Sequence, residues 1–223
     1  MRVDGTALKA VKRDAGPLGN LLEPKRGYRF APENLTLGAA LPSKASSVLD
    51  LGAGCGILGL LAGHELGADR VLLCERNPDM AALCRANAAR YDAEVCHGDL
   101  RDFAPVERFD LVVANPPFYV AGRGRASENE TSRDAMQALH GGLAEFVEAA
   151  SRCVCETGLV VVLYPAESLA EVLVSAAHNG LKCAGLTFVF ARHTERPFRV
   201  WVQLNRSGAA FGPTLVSPAA LLR

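Results

Sequence analysis

A chain of 223 residues that is 49% hydrophobic and 22% charged has the make-up of an ordinary globular protein. Its formal net charge is zero, which excludes a global electrostatic pull towards nucleic acid, although residues 1–30 carry seven Lys/Arg against three acids, enough for a local phosphate-binding stripe. No apolar run approaches the ~18 residues of a membrane span and no signal peptide is read at the start, so a cytoplasmic protein with no membrane partner is expected.

Residues 1–24 are weakly periodic and broken by Gly16-Pro17 and Pro24, which predicts a loosely ordered arm with a short β-hairpin. Gly27-Tyr28-Arg29-Phe30 sets two aromatics beside cations. They read either as a core anchor or as a flap that stacks on a cofactor or base. Asn34 is expected to cap a helix over 35–41 that stops at Pro42.

Residues 46–51 form the first predicted strand, and they run straight into Gly52-Ala53-Gly54-Cys55-Gly56 and a helix over 57–66. A glycine turn between strand and helix brings backbone close to a ligand, at a helix end rich in N–H donors. The spacing is Gly-x-Gly-x-Gly, narrower than a dinucleotide site wants, which disfavours a nicotinamide oxidoreductase. Asp50 ahead of the turn suits a cationic ligand, such as the amino group of S-adenosylmethionine.

The second strand, 70–74, ends at Glu75, 21 residues past Gly54, where a Rossmann-like unit presents a carboxylate to ribose hydroxyls. An ordinary surface acid is the other reading. Asn77-Pro78 should cap and start a helix that runs to Tyr91. After a third strand, 93–96, Asp99 is placed either to bind an adenine amino group or to cap a turn. Arg76 and Leu100, beside these acids, join the candidate cofactor contacts.

Phe109-Asp-Leu-Val-Val-Ala is a short β-branched run, as expected of a strand buried on both faces. Asp110 sits at its far end and reads as structural. At the near end Asn115 is followed by Pro116, Pro117 and Phe118, which stop the ladder and hold an amide, a stiff carbonyl and an aromatic face at the sheet's carboxyl edge. Ligands of open α/β sheets bind at that edge.

Residues 122–133 are read as a long polar loop bearing Arg123, Arg125 and Arg133, of the kind that is usually functional or mobile. An amphipathic helix over 141–155, a strand 159–164, a helix 168–179 and two last strands, 181–191 and 199–204, complete the pattern; the tail, 207–223, reads as frayed. The domain division that follows is an arm, 1–30, a main domain, 31–206, and the tail. His193, between the last strands, lacks a carboxylate and a nucleophile for hydrolase use. The seven cysteines are odd in number and lie mostly inside predicted elements. They read as reduced thiols, and Cys153/Cys155 lack a second pair at zinc spacing, so no metal is expected.

These elements and motifs together resemble the class I S-adenosylmethionine-dependent methyltransferases. The resemblance implies a Rossmann-like, seven-stranded, mostly parallel sheet with helices on both faces and a C-terminal antiparallel hairpin. Asn115-Pro116-Pro117-Phe118 resembles the Asn/Asp-Pro-Pro-Tyr/Phe motif of the amino-methyltransferases. Those families modify adenine N6, cytosine N4, guanine N2 or a glutamine amide.

Residues 27–30, 126–133 and 192–204 are further similar to the bacterial tRNA(Val) adenine-N6 methyltransferase family, with Ser132-Arg133-Asp134-Ala135 where that family usually has an Ala-Arg-His-Glu-like segment. This implies S-adenosylmethionine as cofactor and tRNA as partner, and methylation of the adenosine beside the anticodon. It makes Asn115 to Phe118 catalytic, and gives Asp50, Gly52, Ala53, Gly54, Gly56, Glu75, Arg76, Asp99, Leu100 and Asn115 to the cofactor. Tyr28, Arg29, Phe30, Arg123, Arg125 and Arg133 would hold substrate. A glutamine-N5 protein methyltransferase, a guanine-N2 rRNA methyltransferase and a non-catalytic binding module remain as alternatives.

Overall fold

The structure, a computed structural model, describes residues 2–3, 6–7, 10–25, 29–118, 142–191, 196–209 and 214–216. Tyr28, Arg123, Arg125, Arg133 and His193 lie outside them. Two short strands, β1 (Arg2–Val3) and β2 (Thr6–Ala7), pair antiparallel. The expected hairpin follows as β3 (Ala10–Asp14) and β4 (Asn20–Pro24).

The main sheet contains β5 (Ser47–Leu51), β6 (Arg70–Glu75), β7 (Glu94–His97), β8 (Phe109–Ala114), β9 (Val154–Pro165), β10 (Lys182–Phe190), β11 (Pro197–Asn205) and β12 (Thr214–Val216). Their spatial order is β12-β10-β11-β9-β8-β5-β6-β7. The run from β9 to β7 is parallel, and the β10–β11 hairpin adds the expected antiparallel pair. The sheet thus holds the seven strands expected plus β12, which pairs parallel to β10. That strand lies in the stretch read as a frayed tail; three residues are too few to carry a period.

From β5 the chain steps outward to β6 and β7, then returns to the other side of β5 as β8. The reversal opens a crevice at the carboxyl ends of β5 and β8, the switch point where such sheets take ligands. Both strands are buried on both faces, so their alternation splits the core in two. Val48, Leu111 and Val113 pack on the side of α1 (Ile57–Leu66) and α2 (Pro78–Ala88). Leu49, Leu51, Val112 and Ala114 pack on the side of α3 (Leu143–Cys153) and α4 (Leu169–His178). Asp110, at the entry of β8, accepts hydrogen bonds from Ser46 N, Ser47 N and Ser47 Oγ, each at 3.0 Å, and pins β5 in register; its role is structural as expected.

Helix α2 starts as predicted: Asn77 Oδ1 accepts from Asp79 N and Met80 N, with Pro78 in the first turn. It ends at Ala88 rather than Tyr91. The helix expected over 35–41 is instead a 3-10 helix, Pro32–Ala40, with Asn34 buried inside it and not its cap. Pro32, whose fixed φ suits the first helical position, moves the start forward. This short helix is pinned to the sheet by Trp201 Nε1 donating to Thr36 Oγ1 at 2.7 Å and Gln203 Nε2 donating to Ala40 O at 2.9 Å. Helix α3 stops at Cys153, and Gly158 lies within β9, where a Cβ would meet Asp110 O at 2.9 Å.

The β3–β4 hairpin is fastened to the domain through Asn87, which is 2% exposed. Its Oδ1 accepts from Leu22 N at 2.8 Å, and its Nδ2 donates to Leu22 O at 2.9 Å and Cys55 O at 2.8 Å. Asn87→Ala is expected to cost about 2–4 kcal/mol, because it strands buried backbone groups at about 1–3 kcal/mol each. Urea unfolding should show the midpoint fall with the slope unchanged. Burial raises the thiol pKa of Cys55 to about 12 and of Cys153 to about 11, so both stay protonated at neutral pH. No helix among the described residues is long and apolar enough to cross a membrane.

Candidate active site

The site lies where the carboxyl ends of β5, β6, β7 and β8 meet. β5 runs into a turn whose glycines at 52, 54 and 56 take φ of 68°, 59° and 92°, a region that side chains strain to enter. A Cβ at Gly52 would also stand 2.8 Å from the Phe146 ring. The turn is tied to its neighbour by Gly52 N and Ala53 N, both donating to Cys74 O.

Period-two alternation turns Asp50 towards α1, where it is 1% exposed. Its Oδ2 accepts from Gly59 N at 2.8 Å, which supplies the acceptor that α1 lacks at its own N-cap. The approach requires glycine, since a Cβ at Gly59 would lie 2.8 Å from Asp50 Cβ and 2.3 Å from Leu73. Asp50 Oδ1 is buried with no hydrogen-bond partner.

Burial pushes the Asp50 carboxyl up to about 7, against the partial relief of the Gly59 N–H. The folded state therefore holds this proton to higher pH than the unfolded chain does. The stabilisation it gives is complete below pH ~4 and is lost as pH rises to ~7, on the order of 4 kcal/mol in all. Urea midpoints measured from pH 4 to 8 should show that fall in the wild type, and Asp50→Asn should flatten it.

Glu75 is more than a surface acid. Its Oε2 accepts from Gly54 N at 2.7 Å and its Oε1 from Asn77 N at 2.6 Å, so one carboxylate braces the glycine turn against the start of α2.

Asp99 is held by two guanidiniums. Its Oδ1 accepts from Arg101 N at 3.0 Å and Arg101 Nε at 2.9 Å; its Oδ2 lies 2.6 Å from Arg101 Nη2 and 3.1 Å from Arg76 Nε. The Arg101 hydrogen bonds pull its carboxyl down to about 2. The turn cap, one of its two readings, is formed by the Arg101 N–H. Leu100 beside it is buried in the core.

Asn115 leaves β8 half-buried, Pro116 is buried, and Pro117 and Phe118 are half-buried. Phe118 meets Tyr164, at the end of β9, edge-on at 6.3 Å. The Arg199 guanidinium lies 4.0 Å over its ring, and Arg199 Nε is 3.3 Å from Glu33 Oε1. Sequence reading assigned no role to Glu33 or Arg199, because they are 166 residues apart and neither sits in a spaced motif. Phe30 is a correction: it is 2% exposed, with the Arg13 guanidinium 4.7 Å over its ring, and so anchors the core rather than stacking on substrate. Arg29 is exposed and 3.9 Å from Glu23.

The chain is similar to known methyltransferases in sequence and in fold. The family described as "Methyltransferase small domain" matches residues 34–163. A tRNA1(Val) (adenine(37)-N6)-methyltransferase of Aeromonas hydrophila is 29% identical over 189 residues, 80% of this chain and 77% of that protein. The enzyme of the same name from Shewanella sp. (strain MR-4) is 26% identical over 154 residues; the match spans 65% of this chain and 64% of that protein, just under two thirds of its length. Among solved structures, a predicted O-methyltransferase from Agrobacterium tumefaciens shares the fold with a TM-score of 0.59, at 24% identity over 82% of this chain and 84% of that one.

Proposed function

Because the chain belongs to the methyltransferase small-domain family, we propose that it is an S-adenosylmethionine-dependent enzyme that methylates adenine N6 in tRNA, at the adenosine beside the anticodon of tRNA(Val). The observation that carries this is the position of Asn115-Pro116-Pro117-Phe118, which leaves β8 at the switch point beside the glycine turn. The names of the Aeromonas and Shewanella relatives supply the choice of adenine and of tRNA.

The residues present fit the cofactor. The buried, unpartnered Asp50 Oδ1 suits its ammonium, and the backbone of Gly52, Ala53, Gly54 and Gly56 gives a cradle without side chains. Glu75 is assigned to the ribose hydroxyls, with Arg76, Asp99 and Leu100 on the adenine side. When bound, S-adenosylmethionine supplies an electrophilic methyl on a sulfonium.

The chain's own task is to prepare a poor nucleophile. An exocyclic purine amine spreads its lone pair into the ring. Asn115 Oδ1 and Pro116 O accept its two N–H bonds and draw the nitrogen towards tetrahedral geometry, which is positioning with electrostatic preorganisation. The proline pair stiffens the backbone that carries both acceptors, and Phe118 stacks on the extruded base. The product ammonium is acidic, so no side-chain base is needed. We read 31–206 as the catalytic unit, with 1–30 and 207–223 as arm and tail. Arg29, Tyr28, Arg123, Arg125 and Arg133 are assigned to the RNA.

Purified protein, labelled S-adenosylmethionine and, separately, total tRNA, total rRNA and a protein fraction test the reading. The expected result is label in tRNA, recovered as N6-methyladenosine. Label confined to rRNA or protein would refute the adenine assignment in favour of a guanine-N2 or glutamine-N5 enzyme.

A further inference from the structure

The geometry points to Arg199 as a positioning residue: together with Glu33 it fixes the plane of Phe118, and so the height at which a stacked acceptor base presents its amine to Asn115. This rests on the acceptor reading above and adds to it a part of the site built from outside the Asn-Pro-Pro-Phe segment.

Arg199 stands at the start of β11, opposite Pro165 at the end of β9, so the sheet register brings it to the same carboxyl edge as Asn115. Its guanidinium covers Phe118 from 4.0 Å and reaches the Phe198 ring at 5.3 Å. Glu33 holds it at 3.3 Å, and the two side chains are only 15% and 12% exposed. A guanidinium so shielded needs its counter-charge, and a carboxylate so shielded needs a cation, so neither partner is free to wander. Glu33 is itself placed, because Thr36 Oγ1 donates to Glu33 O at 2.7 Å and also accepts from the buried Trp201. A chain of contacts therefore runs from the core of β11 through the 3-10 helix to one face of Phe118.

The consequence for the reaction is geometric. Pro116 and Pro117 lock their own φ and so stiffen the backbone between Asn115 and Phe118, while the ring keeps its own torsions. Arg199 over one face and the near-perpendicular Tyr164 ring at 6.3 Å restrain those torsions. The cation also claims one face of the ring, so the base stacks on the other. A tilt of the ring would move the amine away from its two acceptors, and misplacement by about 1 Å can cost about 10²-fold.

Kinetics on tRNA with labelled S-adenosylmethionine test this. Arg199→Ala should lower kcat by about 10–10²-fold, with S-adenosylmethionine affinity within about twofold of wild type. Arg199→Lys, which keeps the charge but not the planar stack, and Glu33→Gln should fall between. In a Phe118→Ala background, Arg199→Ala should add no further loss, since it acts through the ring. Unchanged kcat in Arg199→Ala, or fully additive losses in the double variant, would overturn the inference. If Arg199→Ala does not fold, Arg199→Lys and Glu33→Gln decide it: kcat at the wild-type level in both overturns the role. If the wild type methylates rRNA or protein instead, the acceptor reading falls and the same variants are judged on that acceptor. A wild type inert on all three refutes both.

Discussion

Asn115→Ala is expected to lower methyl transfer by about 10²–10³-fold while S-adenosylmethionine binding stays within a few-fold of wild type. The size follows from what one preorganised polar group contributes when it acts only on the reacting centre. The separation of the two effects follows from position. Asn115 sits at the tip of β8, whereas the glycine turn and Glu75 leave the tips of β5 and β6. Asn115→Asp keeps an oxygen acceptor at the same place and should retain measurable turnover. Calorimetry with S-adenosylmethionine, beside single-turnover rates on tRNA, separates binding from chemistry. Loss of binding in Asn115→Ala would move this side chain into the cofactor site and remove the basis for an amine acceptor.

Glu75→Ala is expected to weaken S-adenosylmethionine by about 10²-fold or more. Its carboxylate does two things at once. It accepts from Gly54 N and Asn77 N, and it is assigned to the ribose hydroxyls. Hydrogen bonds to a charged group contribute about 1.5–3 kcal/mol each, and removal of the brace leaves the glycine turn free to relax. Glu75→Gln should fall between, since one oxygen can still accept while its NH2 opposes a backbone donor. Calorimetric affinity within twofold of wild type in a folded Glu75→Ala protein would refute the ribose assignment.

Much of this was readable from residue order, and the failures have physical causes. The strands carried the clearest signal. Phe109 to Ala114 and Ser47 to Leu51 are mostly apolar and buried on both faces, and β-branched or leucine-rich runs of that length fit little else. Asn77-Pro78 marked a helix start because cap and proline act locally. The 3-10 helix was misread, since Asn34 looks like a cap in sequence and only Pro32 with the distant Trp201 and Gln203 decides otherwise.

The site divides in the same way. Glu75 was locatable because the glycine turn sets its distance along the chain. The burial of Phe30, the guanidinium pair on Asp99 and the Glu33–Arg199 contact depend on elements far apart in sequence, and no spacing rule reaches them. Asp50 was singled out for its charge. That its neighbour on one side would be Gly59 required knowledge of how α1 folds back over β5.

The tie between Leu22 and Asn87 orders events in time. The β3–β4 hairpin is synthesised well before the helix that grips it, 65 residues later. Until α2 has emerged and packed, Leu22 N and O lack the Asn87 amide, and Cys55 O has not received its donor. Closing so long a loop is slow relative to local helix formation. Hairpin docking thus waits on α2, and Cys55 O in the glycine turn gains its side-chain donor only from that helix.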